Sequence, residues 1–419
     1  MLKQRIDVPY IRENGRLKES SWNEAQKILI EKIKTFSPNE IAGCVGGLVD
    51  MEALYCFKKF FKDTVGSSNI ECREKKTYLN PQHKRNYIFN TSIQNIDKSD
   101  FILLIGSNPR HEATIVNLRI RKAVIKNNAQ AYSIGNPGDL SYPVKLFEGS
   151  TSVIKSIYEG NHEIYEKLKN AKKPVVILGE SALKGISGRY VFEAIKEVLF
   201  KLNHMNKNWN AFNVLTQSAS KIGAIDLGIY SIKEKDNYSF FNLLDSGKFK
   251  FLYLLGSDEI KINKKNEFVV YQGSHGDRGA EIADIVLPGA AYTEKDGVFI
   301  NLEGRVQKTS KASYPPGNSK EDWKILHELS VKMKNPIDIK DHDDLESKII
   351  KEIKLFSDFD ELPSEDLNFN KPTKLDFINE DINIDQIDYY YTNPISRASK
   401  TMSECRNNKK KGANYNGVF

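Results

Sequence analysis

Five short stretches constrain this chain more than anything else in it: IAGCVGG from Ile41, FILLIGS from Phe101, PVVILGE from Pro174, FLYLLGS from Phe251 and FVVYQG from Phe268. Each is a strand-sized apolar run closed by glycine. Runs apolar on both sides of the pleat belong to strands buried on both faces, the condition of a parallel sheet covered by helices. Helical spacing follows three of them, at Met51 to Lys62, from about Arg110, and at Tyr190 to Leu202. Alternating strands and helices predict an α/β protein with two doubly wound, Rossmann-like parallel sheets. The division by order along the chain is an N-terminal arm and helix over 1–34, a first lobe over 35–160, a second over 161–310 and an acidic, partly irregular tail over 311–419. Within the arm, Ser21 caps a helix starting at Trp22, with Glu24 at capping-box spacing.

In such sheets a ligand crevice lies at the carboxyl ends of the strands, where helix N-termini present amide hydrogens. Gly106-Ser107-Asn108-Pro109-Arg110, Gly179-Glu180-Ser181, Gly256-Ser257-Asp258 and the loop at Gly273 hold that position. They read either as a phosphate or dinucleotide cradle or as glycines that merely turn the chain. Neither G-x-G-x-x-G nor G-x-x-x-x-G-K-[ST] is present, which favours turns. The densest region is Tyr271 to Ser310. There a loop with Gly273, Gly276 and Gly279 precedes the buried strand ADIVLP, and GVFINL and RVQKTS flank a two-residue hairpin loop, Glu303-Gly304.

Composition excludes several function classes. The 62 Lys and Arg against 55 Asp and Glu give a net charge of +7, and no basic cluster is interleaved with aromatic residues as a nucleic-acid surface requires. No apolar run approaches the length of a membrane-spanning helix, so membrane association is expected through partners. The N-terminus MLKQRIDVPY has neither an apolar signal core nor an Arg/Ser-rich presequence. Cys44, Cys56, Cys72 and Cys405 form no C-x-x-C pair and the histidines no H-x-x-x-H, so free thiols are expected and no catalytic, cofactor-binding or metal residue is assigned. Among tempting groups, His275, Asp277 and Arg278 read as turn-stabilising. Glu294, Lys295 and Asp296 read as a solvated turn, Cys72 as an ordinary thiol, and Arg119, Arg121, Lys122 and Lys126 as solvated surface or a patch for an acidic partner. Tyr389, Tyr390 and Tyr391 with Pro394, Ser396 and Arg397 read as interface material or a segment wrapping the protein's own body. The end, RNNKKKGANYNGVF, is expected to be disordered.

RIDVPYIRENGRLKESSWNEA, GGLVDMEA, IGSNPRHEATIVNLRIRKA, WNAFNVLTQSASKIGAIDLGI, Tyr271 to Gln307 and the late YYYTNPISRASKTMSEC together resemble the largest iron–sulphur subunits of respiratory complex I. Those subunits are relatives of the molybdopterin oxidoreductases, and the E-K-D-G-x-x-x-N-x-E-G-R-x-Q element, Glu294 to Gln307, is similar to that wider group. The resemblance implies a matrix-side place in the peripheral arm at the mitochondrial inner membrane, or the cytoplasmic face of a bacterial one. It also implies partners that hold FMN and the iron–sulphur clusters. The cluster-bearing N-terminal region of that family has no counterpart here, so a separate polypeptide is expected to supply it. A mitochondrial gene for this half would fit the Lys, Asn, Ile, Phe and Tyr bias. Because no β-barrel pattern follows Gln307, the molybdopterin pocket is expected to be vestigial. The alternatives are an active molybdopterin-dependent oxidoreductase and an isolated nucleotide-binding α/β protein.

Overall fold

The computed structural model describes residues 4–232, 236–353 and 375–413. β1 (Tyr10–Glu13) and β2 (Arg16–Glu19) form a hairpin, and β3 (Ile41–Val45) and β4 (Ile70–Glu71) follow the helix Trp22–Thr35. Ser21 caps that helix, accepting the Glu24 amide at 3.2 Å. The next strands are β5 (Phe101–Ile105), β6 (Gln130–Ile134), β7 (Lys145–Phe147), β8 (Pro174–Gly179) and β9 (Phe212–Leu215). The chain closes its sheets with β10 (Phe251–Leu255), β11 (Phe268–Gly273) and β12 (Ile285–Pro288), then adds the hairpin β13 (Gly297–Ile300) and β14 (Val306–Thr309).

Two large sheets result, ordered β2-β1-β12-β11-β10-β3-β4 and β7-β6-β5-β8-β9, with β13-β14 as a separate two-stranded sheet. Pairing from β12 to β4 and throughout the second sheet is parallel; only the hairpin joins antiparallel. The central strands of each are buried on both faces, as the apolar runs require. In β10, Phe251, Tyr253 and Leu255 enter one core while Leu252 and Leu254 enter another. In β5, Phe101, Leu103 and Ile105 face one core and Ile102 and Leu104 the opposite one.

The lobes do not follow one another as 35–160 and 161–310. The five-stranded lobe is inserted between β4 and β10, and the chain then returns to complete the first sheet. The aromatic packing explains the return: Tyr253 of β10 meets Phe57, Phe60 and Phe61, from the helix Met51–Lys59 and the π-helical turn after it, at ring-centroid distances of 6.2–6.3 Å. A hydrophobic cluster shared across some 200 residues is invisible to order along the sequence.

Two further expectations change. Five residues, Asn301 to Arg305, separate β13 from β14 rather than two, and the Asn301 amide donates to the Arg305 carbonyl at 2.9 Å within that loop; Gly304 does take positive φ, 81°. The tail is less irregular than its composition suggests. Helices Asp322–Lys332 and His342–Glu352 pack on Met51–Lys59, and Lys400–Ala413 is helical where disorder is expected. Residues 414–419 of that stretch lie outside the described residues.

Candidate functional site

The crevice sits where each sheet reverses direction. From β3 the chain moves outward to β4 and from β10 the other way to β11; β5 and β8 diverge likewise. Between β3 and β10 a Cβ placed on Gly46 would lie 1.7 Å from the Gly256 carbonyl oxygen, and between β5 and β8 one on Gly179 would lie 2.3 Å from that of Gly106. Gly106 and Gly256 also hold φ of 58° and 57°. These glycines are demanded by close backbone approach at the switch points, a stronger requirement than ending a strand.

Between the lobes the crevice encloses about 590 Å³, and Gly256, Gly273, His111, Glu180, Arg278 and Arg397 are among the residues lining it. Several of the groups an anion would seek there are already engaged by the chain's own carboxylates. Glu112 accepts from the Ser107 hydroxyl at 2.8 Å and the Asn108 amide at 3.1 Å, just after β5. After β8, Glu180 accepts from the Gln217 amide at 3.0 Å and from the buried Lys221 ammonium at 2.6 Å. Asp258, after β10, accepts from the Gly279 amide at 2.9 Å and the Tyr271 hydroxyl at 2.8 Å. Burial raises the Asp258 carboxyl to about 7 and pushes those of Glu112 and Glu74 upward as well. An incoming phosphate would have to displace these contacts, in a crevice lined by carboxyl groups as well as by Lys75, Lys261, Arg278 and Arg397.

The C-terminal segment crosses this opening. On the inserted lobe it is held by main-chain bonds, Ile382 N–H to Gly149 O at 2.7 Å and Thr151 N–H to Glu380 O at 3.0 Å, and by Asp385 paired with Lys75 and Lys184. It then reaches the first lobe. There Arg397 donates to Glu259 at 2.6 Å, to Asp277 and to the Tyr391 carbonyl at 3.1 Å. Burial opposes the guanidinium charge, but Glu259 and Asp277 overcome it and raise its pKa. Asp277 is thus a partner for the tail, and His275 is buried in its loop with Nδ1 2.9 Å from the Ser274 hydroxyl. The tail wraps its own body at this point.

Glu294 and Lys295 are not a solvated turn. Both are buried, Glu294 against Arg5 and Lys295 between Asp50, at 2.6 Å, and Asp322. Asp50 caps Met51–Lys59 by accepting the Ala53 amide at 2.8 Å, and Asp322 accepts from Gln272 of β11 at 2.8 Å. One ammonium therefore ties together the helix after β3, the Gly273 strand and the helix Asp322–Lys332. Burial disfavours its charge, yet Asp322 and Asp50 hold the Lys295 pKa above its ordinary value. Next to this group, burial and the neighbouring Asp50 raise the Glu52 carboxyl to about 8. The sequence signals were present, an aspartate directly before a helical run and an arginine behind three tyrosines, but nothing local pairs Asp50 with Lys295 or Arg397 with Asp277.

The other candidates are dispersed. Cys44, Cys56 and Cys72 are buried free thiols, with burial pushing Cys72 up to about 12, and Cys405 is free and exposed. Arg119 and Lys122 both pair with Asp97, at 2.8 and 2.6 Å. Among the described residues no group of three or more His, Cys, Asp or Glu is placed to hold a metal, and no helix is long and apolar enough to cross a membrane.

Comparison with known proteins follows the same lines. The chain is 36% identical to the NADH-ubiquinone oxidoreductase 75 kDa subunit of Reclinomonas americana, over 96% of this chain and 60% of that protein. It is 35% identical to an NADH-quinone oxidoreductase subunit of Rickettsia felis, over 97% and 59%. With the NADH-ubiquinone oxidoreductase 78 kDa subunit of Candida albicans it shares 35% over 96% and 56%. The chain thus spans a little under two thirds of the length of these relatives. Residues 372–405 match a family model of the C-terminal region of an NADH-ubiquinone oxidoreductase subunit. Among solved structures, acetylene hydratase from Pelobacter acetylenicus has a TM-score of 0.52 at 14% identity, covering 80% of this chain and 62% of that one. The formyltransferase/hydrolase complex of Methylorubrum extorquens reaches 0.53 at 12%, covering 78% and 99%. Residues 5–332, which include both lobes, the switch-point glycines and the Lys295 group, match the molybdopterin oxidoreductase family model, and the chain belongs to that family.

Proposed function

We propose that this chain is a structural, non-cofactor-binding subunit of NADH:ubiquinone oxidoreductase. It sits in the peripheral arm on the matrix side of the mitochondrial inner membrane and buttresses a separately encoded half that carries the iron–sulphur clusters. FMN and the clusters reside in its partners, and electrons pass beside it. The similarity to the 75 kDa subunit and to the Rickettsia felis subunit supports the assembly. The observation that carries the structural role is the engagement of crevice groups by the chain itself: carboxylates on the Asn108 and Gly279 amides, and Arg397 across the opening. A pterin dinucleotide, whose phosphates need free donors, would have to displace these contacts. The described cysteines also favour clusters held elsewhere, since three are buried in hydrophobic cores and one is exposed alone.

The family match over residues 5–332 is the observation that favours the second reading, an active molybdopterin-dependent oxidoreductase. Purification of the native assembly through a tag on this chain separates the two. NADH-oxidising activity, FMN and non-haem iron should copurify, with the iron leaving with partners when the chain is dissociated. Recovery without any NADH-oxidising partner would overturn the proposal.

A further inference from the structure

The helix Thr114–Asn127 has two apolar faces, only one of which the fold uses. Val116, Ile120 and Ala123, with Asn117, pack onto the inserted sheet. On the opposite side Ile115, Leu118 and Ile125 remain 61%, 54% and 51% exposed, with Lys122 at the same helical angle between them. Spacings of three and seven residues place these side chains in one stripe. Three half-exposed aliphatic residues thus lie in line on one helix, with Lys122 among them, rather than scattered singly.

The rim of the stripe is basic. Arg110, Arg119, Arg121, Lys122 and Lys126 surround it. Among the described residues the carboxylates paired with them are Asp97, shared by Arg119 and Lys122, and the exposed Asp139, paired with Arg110. Arg121 donates instead to the Ser141 carbonyl at 3.2 Å. We propose that this face docks a different protein, one presenting an apolar patch ringed by carboxylates. The inference deepens the proposed assembly by naming one docking face, and it rests on that reading.

Charge decides among occupants. A second copy would bring the same cations against themselves across a two-fold contact, which repels. A lipid surface would also meet positive charge, but three apolar side chains with Lys122 in line among them offer little area to insert into it. An acidic-rimmed protein surface fits both the apolar and the charged component.

The test uses Leu118→Cys, and separately Ile125→Cys, in a Cys405→Ser background, assembled into the native complex. Maleimide should label each site about ten-fold more slowly in the complex than in the released chain, because the docked core excludes the reagent. Lys126→Glu should reduce that protection, and salt of about 1 M should weaken it further through screening of the rim. Equal labelling of complex and released chain would overturn the proposal. So would protection reproduced by the released chain at high concentration, which indicates a second copy, or by vesicles of anionic phospholipid, which indicates a membrane. Unchanged thermal melting of both cysteine variants shows that the helix itself is intact.

Discussion

Replacing Lys295 by methionine keeps an unbranched side chain, one atom shorter, and removes its charge, leaving Asp50 and Asp322 facing each other in a buried site. Breaking a buried ion pair by deleting one partner costs about 3–5 kcal/mol, because the remaining charge loses both solvent and counter-ion. Here two carboxylates lose one shared ammonium, although Asp50 keeps the Ala53 amide and Asp322 keeps Gln272. These residual bonds place the expected loss near the lower end, about 3 kcal/mol. For a cooperative unit of about 200 residues that corresponds to a fall in Tm of roughly 10 °C. Adding Asp50→Asn and Asp322→Asn should recover most of the loss, since asparagine still caps the helix and still accepts from Gln272 while carrying no charge. Urea denaturation of the wild-type, single and triple variants measures this. A Lys295→Met loss below about 0.5 kcal/mol, the range of ordinary surface substitutions, would refute the buried group and restore the solvated turn that the sequence suggests.

Three more expectations follow from the same packing. Glu52, raised to about 8, binds a proton in the folded state that the unfolded chain releases near its ordinary value. Its contribution to stability is therefore full below about pH 4.5 and lost as pH rises through about 8. Thermal melts from pH 5 to 9 should fall accordingly, and Glu52→Gln should flatten that dependence by on the order of a few kcal/mol; an unaltered slope contradicts the shift. Arg397→Gln, which removes the charge shared by Glu259 and Asp277, should speed amide exchange over 378–397 without unfolding the lobes, whereas unchanged exchange would mean that the tail is held by its main-chain bonds alone. Native protein should titrate a single thiol, Cys405, with the buried three appearing only in denaturant; prompt reaction of Cys72 would show that it is accessible to reagent.

What the sequence discloses and what it hides divide on physical lines. FILLIG and FLYLLG declare buried parallel strands because their apolarity is local, and Ser21 declares its helix because the cap lies three residues from its partner amide. Relations across long separations stay hidden. The pairing of β10 with β3 depends on Tyr253 meeting Phe57, Phe60 and Phe61, so along the sequence the inserted lobe reads as a first lobe followed by a second. Lys295 lies 245 residues from Asp50, and in isolation a Glu-Lys-Asp triplet before glycine has every mark of an exposed turn. The crevice is legible as a place, from Gly106 and Gly256, but not as a state. That carboxylates cap its amides and Arg397 spans it is written only in three dimensions.

The measurement that tests the account most directly is the molybdenum, tungsten and pterin content of the native assembly purified through this chain. Carboxylate-capped amides and a crevice spanned by the chain's own tail predict far less than one metal or pterin per chain, alongside NADH-oxidising partners. One molybdenum and its pterin for every chain would contradict the account. It would require Arg397 and the carboxylates after β5, β8 and β10 to give way to a working cofactor.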